Sequence, residues 1–156
     1  MLDEVFALAD GLTIVDGPSG NAAMDTVLLG RAEVVLVPAG TSSDDVDAAR
    51  ASMERVRSAG RIGLVVLTRS SVNRSGEGEE ARAVLAQDGL RVARTEIRWH
   101  AAHEDAAAAR LTVGDLPPRN HAFREIRGLA TELLTLLGKS ATLSDTAHDA
   151  ERAEIS

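Results

Sequence analysis

Short, uninterrupted apolar runs rich in β-branched residues recur along this chain, and each is followed by a longer stretch with helical spacing. The runs are Leu12-Thr13-Ile14-Val15, residues 33–37, residues 62–67, and a weaker one at 90–97 that Arg91 and Arg94 interrupt. Continuous rather than alternating apolar runs are expected where both faces of a strand are covered. Strands spaced by helices need crossover connections, which gives βαβ units. The pattern predicts an α/β fold, with a mainly parallel sheet and helices on both faces.

The intervening stretches carry helix punctuation. A helix over 22–31 follows the turn Gly17-Pro18-Ser19-Gly20-Asn21. Thr41-Ser42-Ser43-Asp44 offers N-cap residues for a helix running to about Ala59, with Val46, Ala49, Met53 and Val56 on its inner face and Gly60 at its end. Pro38 is expected to stop the strand at 33–37. Residues 70–78 read as a polar, mobile loop ahead of a helix over 79–87. Further helices are expected near 103–110 and over 119–137, the latter with Ile126, Leu129, Leu133, Leu136 and Leu137 on one face and Gly138 as its cap. Residues 1–139 are expected to form the domain, with 140–156 a polar, acidic tail.

Composition removes several function classes. The chain has no cysteine, so a disulfide framework and a thiolate metal cage are both excluded. The net charge of −7 argues against a generally basic nucleic-acid binder. All basic residues but Lys139 are arginine, so a local phosphate-binding face stays open. Phe6, Trp99 and Phe123 are the only aromatics, too few for a base-stacking platform. No apolar run approaches the roughly 20 residues that span a bilayer, and the first residues are acidic where a leader is basic. A cytoplasmic protein without membrane partners is expected.

Ligands of open α/β sheets bind at the carboxyl ends of strands. Here these ends are at 16–21, 38–44, 68–74 and 97–103. An apolar strand delivering Asp16 into a Gly-Pro-Ser-Gly turn is how nucleotide hydrolases set a carboxylate near Mg²⁺. The same residues also suit an ordinary tight βα turn with a capping aspartate.

Thr13-Ile14-Val15-Asp16-Gly17-Pro18-Ser19-Gly20 resembles the Walker B strand and switch II of the ParA/MinD family of deviant-Walker ATPases, which position plasmids, chromosomes and division sites. Val34-Val35-Leu36-Val37-Pro38-Ala39 resembles the family's next strand. Leu64-Val65-Val66-Leu67-Thr68-Arg69 is similar to the strand whose end helps hold adenine. Thr95-Glu96-Ile97-Arg98, with Glu104, Val113, Pro118 and Arg119 beyond, resembles the last strand and final helices. The resemblance runs over residues 12–137 and implies a P-loop NTPase fold. It also implies Walker B-like roles for Asp16, Gly17, Pro18, Ser19 and Gly20, an adenine-region role for Thr68 and Arg69, and a DNA-facing role for Arg69, Arg74 and Arg98. Thr68 stands where the family often has Asn, which puts base recognition in doubt.

The departure from the family is equally specific. Its phosphate loop is Gly-rich and carries two lysines, upstream of the Walker B strand. Fifteen residues precede Asp16 here, with no Lys and only Gly11. Gly138-Lys139-Ser140 ends a helix rather than following a strand, so it reads as a cap. The chain is therefore expected to be a truncated ParA-like partition or mobile-element protein that does not hydrolyse ATP alone. No metal or cofactor is expected, with Mg-ATP bound through Asp16 only if another chain supplies the loop. In the family the phosphate-loop strand lies between the strands that end here at Asp16 and Val37. Its loss predicts a homodimer or a complex with a second chain, and at most weak DNA binding.

Two alternatives stand beside this reading. One is that the chain is a fragment or mis-started form of an active partition ATPase. The other is a small serine hydrolase built on Ser19, whose elbow departs from the Gly-x-Ser-x-Gly pattern at Asn21. His100, His103 and Glu104 have metal-ligand spacing, but their place at a loop entering a helix favours surface histidines.

Overall fold

The apolar runs that find a partner become Val34–Ala39 (β1) and Ile62–Leu67 (β2). The structure, a computed structural model, describes residues 12–17, 22–70, 76–116 and 120–139. Five helices accompany the strands in these residues: Ala22–Arg31 (α1), Ser43–Ser58 (α2), Glu77–Gln87 (α3), Ala101–Ala109 (α4) and His121–Leu136 (α5). The chain divides between Ala32 and Glu33 into two compact units, described separately below.

In the larger unit β1 and β2 pair in parallel, with register from Val34↔Ile62 to Ala39↔Leu67. The crossover between them is α2, so this is the predicted βαβ unit. Ser42 caps α2 by accepting a hydrogen bond from Asp45 N at 3.2 Å. Asp44 and Asp45 lie in its first turn and Arg55 and Arg57 in its last, each sign at the end the helix dipole favours. Gly60 ends it at φ +68°, a left-handed conformation that a side chain resists. Val46, Ala49, Met53 and Val56 are buried, as their spacing predicts. A methyl added at Gly63 of β2 would lie 2.6 Å from Met53 Sδ, so the missing side chain lets α2 approach the sheet.

The opposite face is covered by α5. Its Leu129, Leu133 and Leu136 pack on buried Leu64, Val66 and Ala93. Burying such side chains contributes about 1.5–3 kcal/mol each, and β2, covered on both sides, has Val65 and Leu67 fully enclosed. Ile126, expected on this face, is instead exposed. The helix starts at Asn120, whose Oδ1 accepts from Phe123 N at 2.9 Å, and ends with Gly138 at φ +66°.

The expected fourth strand at 90–97 is reduced to two parallel bridges, Val65↔Val92 and Thr68↔Ile97. The reason lies between them. Glu132 of α5 accepts from Arg94 N at 2.8 Å, from Thr95 N at 2.7 Å and from Thr95 Oγ1 at 2.5 Å. These backbone donors are committed to a carboxylate rather than to a ladder. Gly128, one turn earlier, permits the approach, since a Cβ there would lie 2.9 Å from Thr95 Oγ1. Arg82 of α3 completes the hold by donating to the carbonyls of Ala93 and Arg94.

Pro38 lies within β1 rather than ending it. Ala39 turns its carbonyl toward Thr68 N, 2.8 Å away. The backbone of Pro38 therefore faces the other way, where no ladder donor is needed. The helix α3 begins at Glu77, inside the expected 70–78 loop, and Ser70 is buried.

In the smaller unit α1 forms as predicted. The expected strand at Leu12-Thr13-Ile14-Val15 does not: residues 12–17 have no regular structure, and Ile14 is 82% exposed. A strand needs a neighbour to take its backbone groups, and the described residues offer this segment none. Asp16 therefore lacks the strand that was expected to present it. The expected tail at 140–156 lies outside the described residues.

The Glu132 clamp gives a prediction. Burial alone would raise the Glu132 carboxyl, but hydrogen bonds from Thr95 and Arg94 and the Arg94 charge outweigh it and hold the pKa below the ordinary value. A carboxyl lowered by folding stabilises fully above its unfolded pKa, about 4.3, and loses that contribution as pH falls through the folded value. Glu132→Ala should cost about 2 kcal/mol at neutral pH in a urea titration, because it leaves Arg94 N and Thr95 N unpartnered. The wild-type advantage over this variant should shrink on acidification below about pH 4.

Candidate functional site

The carboxyl ends of β1 and β2 are tied to each other. Thr68 donates through N to Ala39 O at 2.8 Å and through Oγ1 to the same carbonyl at 3.3 Å. The hydroxyl expected near an adenine is thus used to fasten two strand ends. Arg69 follows at φ +60°, exposed, with its N–H on Ile97 O at 2.9 Å. This brings Arg69, at the end of β2, beside Ile97 and Arg98, which follow an isolated bridge rather than a strand. Ser70 is buried and its Oγ makes no hydrogen bond.

Arg98 is not a free cation. Its guanidinium lies 3.9 Å from Glu96 Oε2 and 3.9 Å from Glu125 Oε1, while its N–H donates to Glu125 Oε2 at 3.0 Å. Two carboxylates on one arginine leave little net positive potential at this edge. Asp16 is exposed, and Gly17 lies against Leu28 of α1. Pro18, Ser19, Gly20 and Arg74 lie outside the described residues, so neither the switch II-like turn nor the serine elbow acquires a geometry.

A cleft of about 610 Å³ opens beside the carboxyl end of β1, between α2 and α3. Thr41, Ser42 and Ser43 line it from the start of α2, and Glu77 and Glu80 from the start of α3. Helix N-termini ordinarily attract anions. Here Asp44, Asp45, Glu77, Glu79 and Glu80 occupy the first turns. Arg50 at the cleft wall is already engaged, 2.7 Å from Asp88 and 2.6 Å from Asp47. The cleft is of mixed character, with Val46, Ala81 and Val84 beside its hydroxyls and carboxylates, and the carboxylates disfavour phosphate.

A second constellation was only half legible in the sequence. His100 is the N-cap residue of α4, His103 lies in its first turn and His121 opens α5. The His100 and His103 rings are 6.2 Å apart, and His100 and His121 are 6.3 Å apart. The expectation of surface histidines is corrected for the first two: both Nε2 atoms are buried and make no hydrogen bond. His100 Nε2 does lie 3.1 Å from Glu125 Oε1. That contact fails the directional requirement of a hydrogen bond, so it is electrostatic proximity only. Glu104, the expected third member, is exposed. His121 and Glu125 replace it, and their spacing of four on one helix was the available signal. Among the described residues no three such side chains converge on a common point as they stand.

The arginine environment yields a testable expectation. The protein should bind duplex DNA no more tightly than about 10⁻⁴ M at physiological salt. Arg98→Glu should leave the salt dependence of any residual binding nearly unchanged, because Arg98 is already shared by two carboxylates. Tight, salt-sensitive binding in a fluorescence-anisotropy titration would contradict this.

Among the described residues no helix is long and apolar enough to cross a membrane. No protein-family model matches the chain, and no curated protein matches it in sequence.

Proposed function

We propose that the chain is a ParA-like α/β module, derived from the P-loop NTPase fold, that works by associating with a second chain rather than by hydrolysing ATP itself. The observation that carries this reading is the outer edge of β1. Among the described residues β1 pairs only with β2. Val34, Leu36 and Pro38 share a sheet face with Ile62, and Leu36, Pro38 and Ile62 are exposed there while α5 covers Leu64 and Val66 farther along. In the ParA-like family the phosphate-loop strand lies against this edge. The outward backbone groups of Val34 and Leu36 favour strand addition from another chain, and Pro38, which has no N–H to donate, limits that pairing to the start of the strand.

The resemblance is what favours a role in plasmid partition, DNA segregation or a mobile element. The partner is a second copy of the chain or a different subunit. A subunit that contributes a Lys-bearing loop would complete a Mg-ATP site beside Asp16, since among the described residues no phosphate loop is present to grip the β and γ phosphates.

Light scattering at low micromolar concentration tests the reading, with a self-associated species expected. Leu36→Lys, which sets a charge on the open face, should weaken self-association at least about tenfold while preserving the melt. Calorimetry with Mg-ATP should show no binding in the micromolar range. A clean 16.4 kDa species with a cooperative melt would sink the self-association branch. Micromolar nucleotide affinity would sink the catalytic part.

A further inference from the structure

We infer, resting on the association proposed above, that β1 pairs with β1 of a second copy, antiparallel about a two-fold axis at Val35. β1 bonds to β2 through the residues that alternate with Val34, Leu36 and Pro38, as the bond from Thr68 N to Ala39 O shows. Val34 and Leu36 therefore hold the outward N–H and C=O groups, and Pro38 has no N–H to offer. Two open residues at this spacing form a pattern that answers itself. In an antiparallel copy Val34 stands opposite Leu36 and Leu36 opposite Val34, and every outward N–H of both strands meets a carbonyl. Pro38 then falls beyond the bonded residues.

Other registers lose this match. A shift by one residue sets the outward groups against groups already bonded to β2. A shift by two in one direction sets Pro38 opposite Val34, where its ring takes the place of a donor. In the other direction Leu36 stands opposite Ala32, whose N–H is committed to Leu28 O.

The side chains agree with the backbone. Each copy carries a net charge of −7, which opposes self-association over most of its surface. From Val34 to Ala39 the strand holds no charge. In this register Glu33 faces Val37 of the copy rather than the other Glu33, so the seam opposes no like charges. On the face shared with Ile62, one cross-strand row runs Ile62, Val34, then Leu36 and Leu64 of the copy. Leu36 and Ile62, 38% and 44% exposed in the single chain, gain apolar neighbours in that row. A two-fold pair of this kind closes on itself rather than growing into a filament.

The chain has no cysteine, so single cysteines report the seam directly. On the axis Val35 meets its counterpart as a non-hydrogen-bonded pair with Cα atoms about 4.5 Å apart, within disulfide range. Val34 and its own counterpart lie on a diagonal of about 7–8 Å, too far for that bond. After mild oxidation at low micromolar concentration, Val35→Cys should form a covalent dimer at least about tenfold faster than Val34→Cys on non-reducing electrophoresis. Both reduced variants should melt cooperatively and associate like wild type in light scattering. If Val35→Cys does not melt cooperatively, an equimolar mixture of Val34→Cys and Leu36→Cys reports the same register, and its mixed disulfide should exceed the cross-linking of either variant alone. Association of the reduced variants with equal or absent cross-linking, or no excess in the mixture, would overturn this seam and leave association through another surface. A wild-type chain that stays monomeric would overturn it as well and give the edge to a different protein.

Discussion

The larger unit depends on one strand being buried from both sides. β2 carries a continuous run from Leu64 to Leu67 with every side chain enclosed. One face is closed by α2, drawn in over Gly63, and the other by α5. An exposed strand of this composition would be an aggregation hazard, so the two helices are a condition of the strand rather than additions to it. The same reasoning accounts for Glu132. Holding α5 over Leu64 and Val66 requires an anchor at the sheet margin, and the carboxylate finds it in the backbone of Arg94 and Thr95.

That anchor also explains where local pattern stopped being informative. The βαβ unit over residues 34–67 was legible because each of its parts is specified locally: β-branched runs, a serine cap, helical spacing of Val46, Ala49, Met53 and Val56, a closing glycine. Residues 90–97 have a comparable apolar content but form only two bridges, since a glutamate more than thirty residues later, Glu132, takes their backbone donors. The apolar run at 12–15 reads as a strand by composition, yet a strand is a relation between two segments. Its sequence carries no record of whether the second segment is present.

The candidate sites divide in the same manner. Thr68 and Arg69 fall at the end of β2, and Arg98 stands beside them after an isolated bridge rather than at the end of the expected fourth strand. What they do there depends on contacts that no spacing encodes: Thr68 spends its hydroxyl on Ala39, and Arg98 is shared by Glu96 and Glu125. For the histidines, the i, i+3 relation of His100 and His103 was visible, whereas His121 joins them only because the small core around Ala106 and Val113 brings two helix starts together.

Electrostatics at the carboxyl edge of the sheet bears on the resemblance to nucleotide hydrolases. Proteins of that kind direct uncharged helix N-termini and a lysine at the phosphates, so that backbone N–H groups and the dipole act in concert. At this edge the helix starts carry Asp44 and Asp45 on α2 and Glu77, Glu79 and Glu80 on α3, each positioned to neutralise the dipole it stands on. Those carboxylates stabilise their own helices and repel a phosphate approaching the cleft between them. The two demands conflict at a single helix end, and in this chain helix stability has prevailed at both. A nucleotide could then be held only by groups brought from outside the cleft.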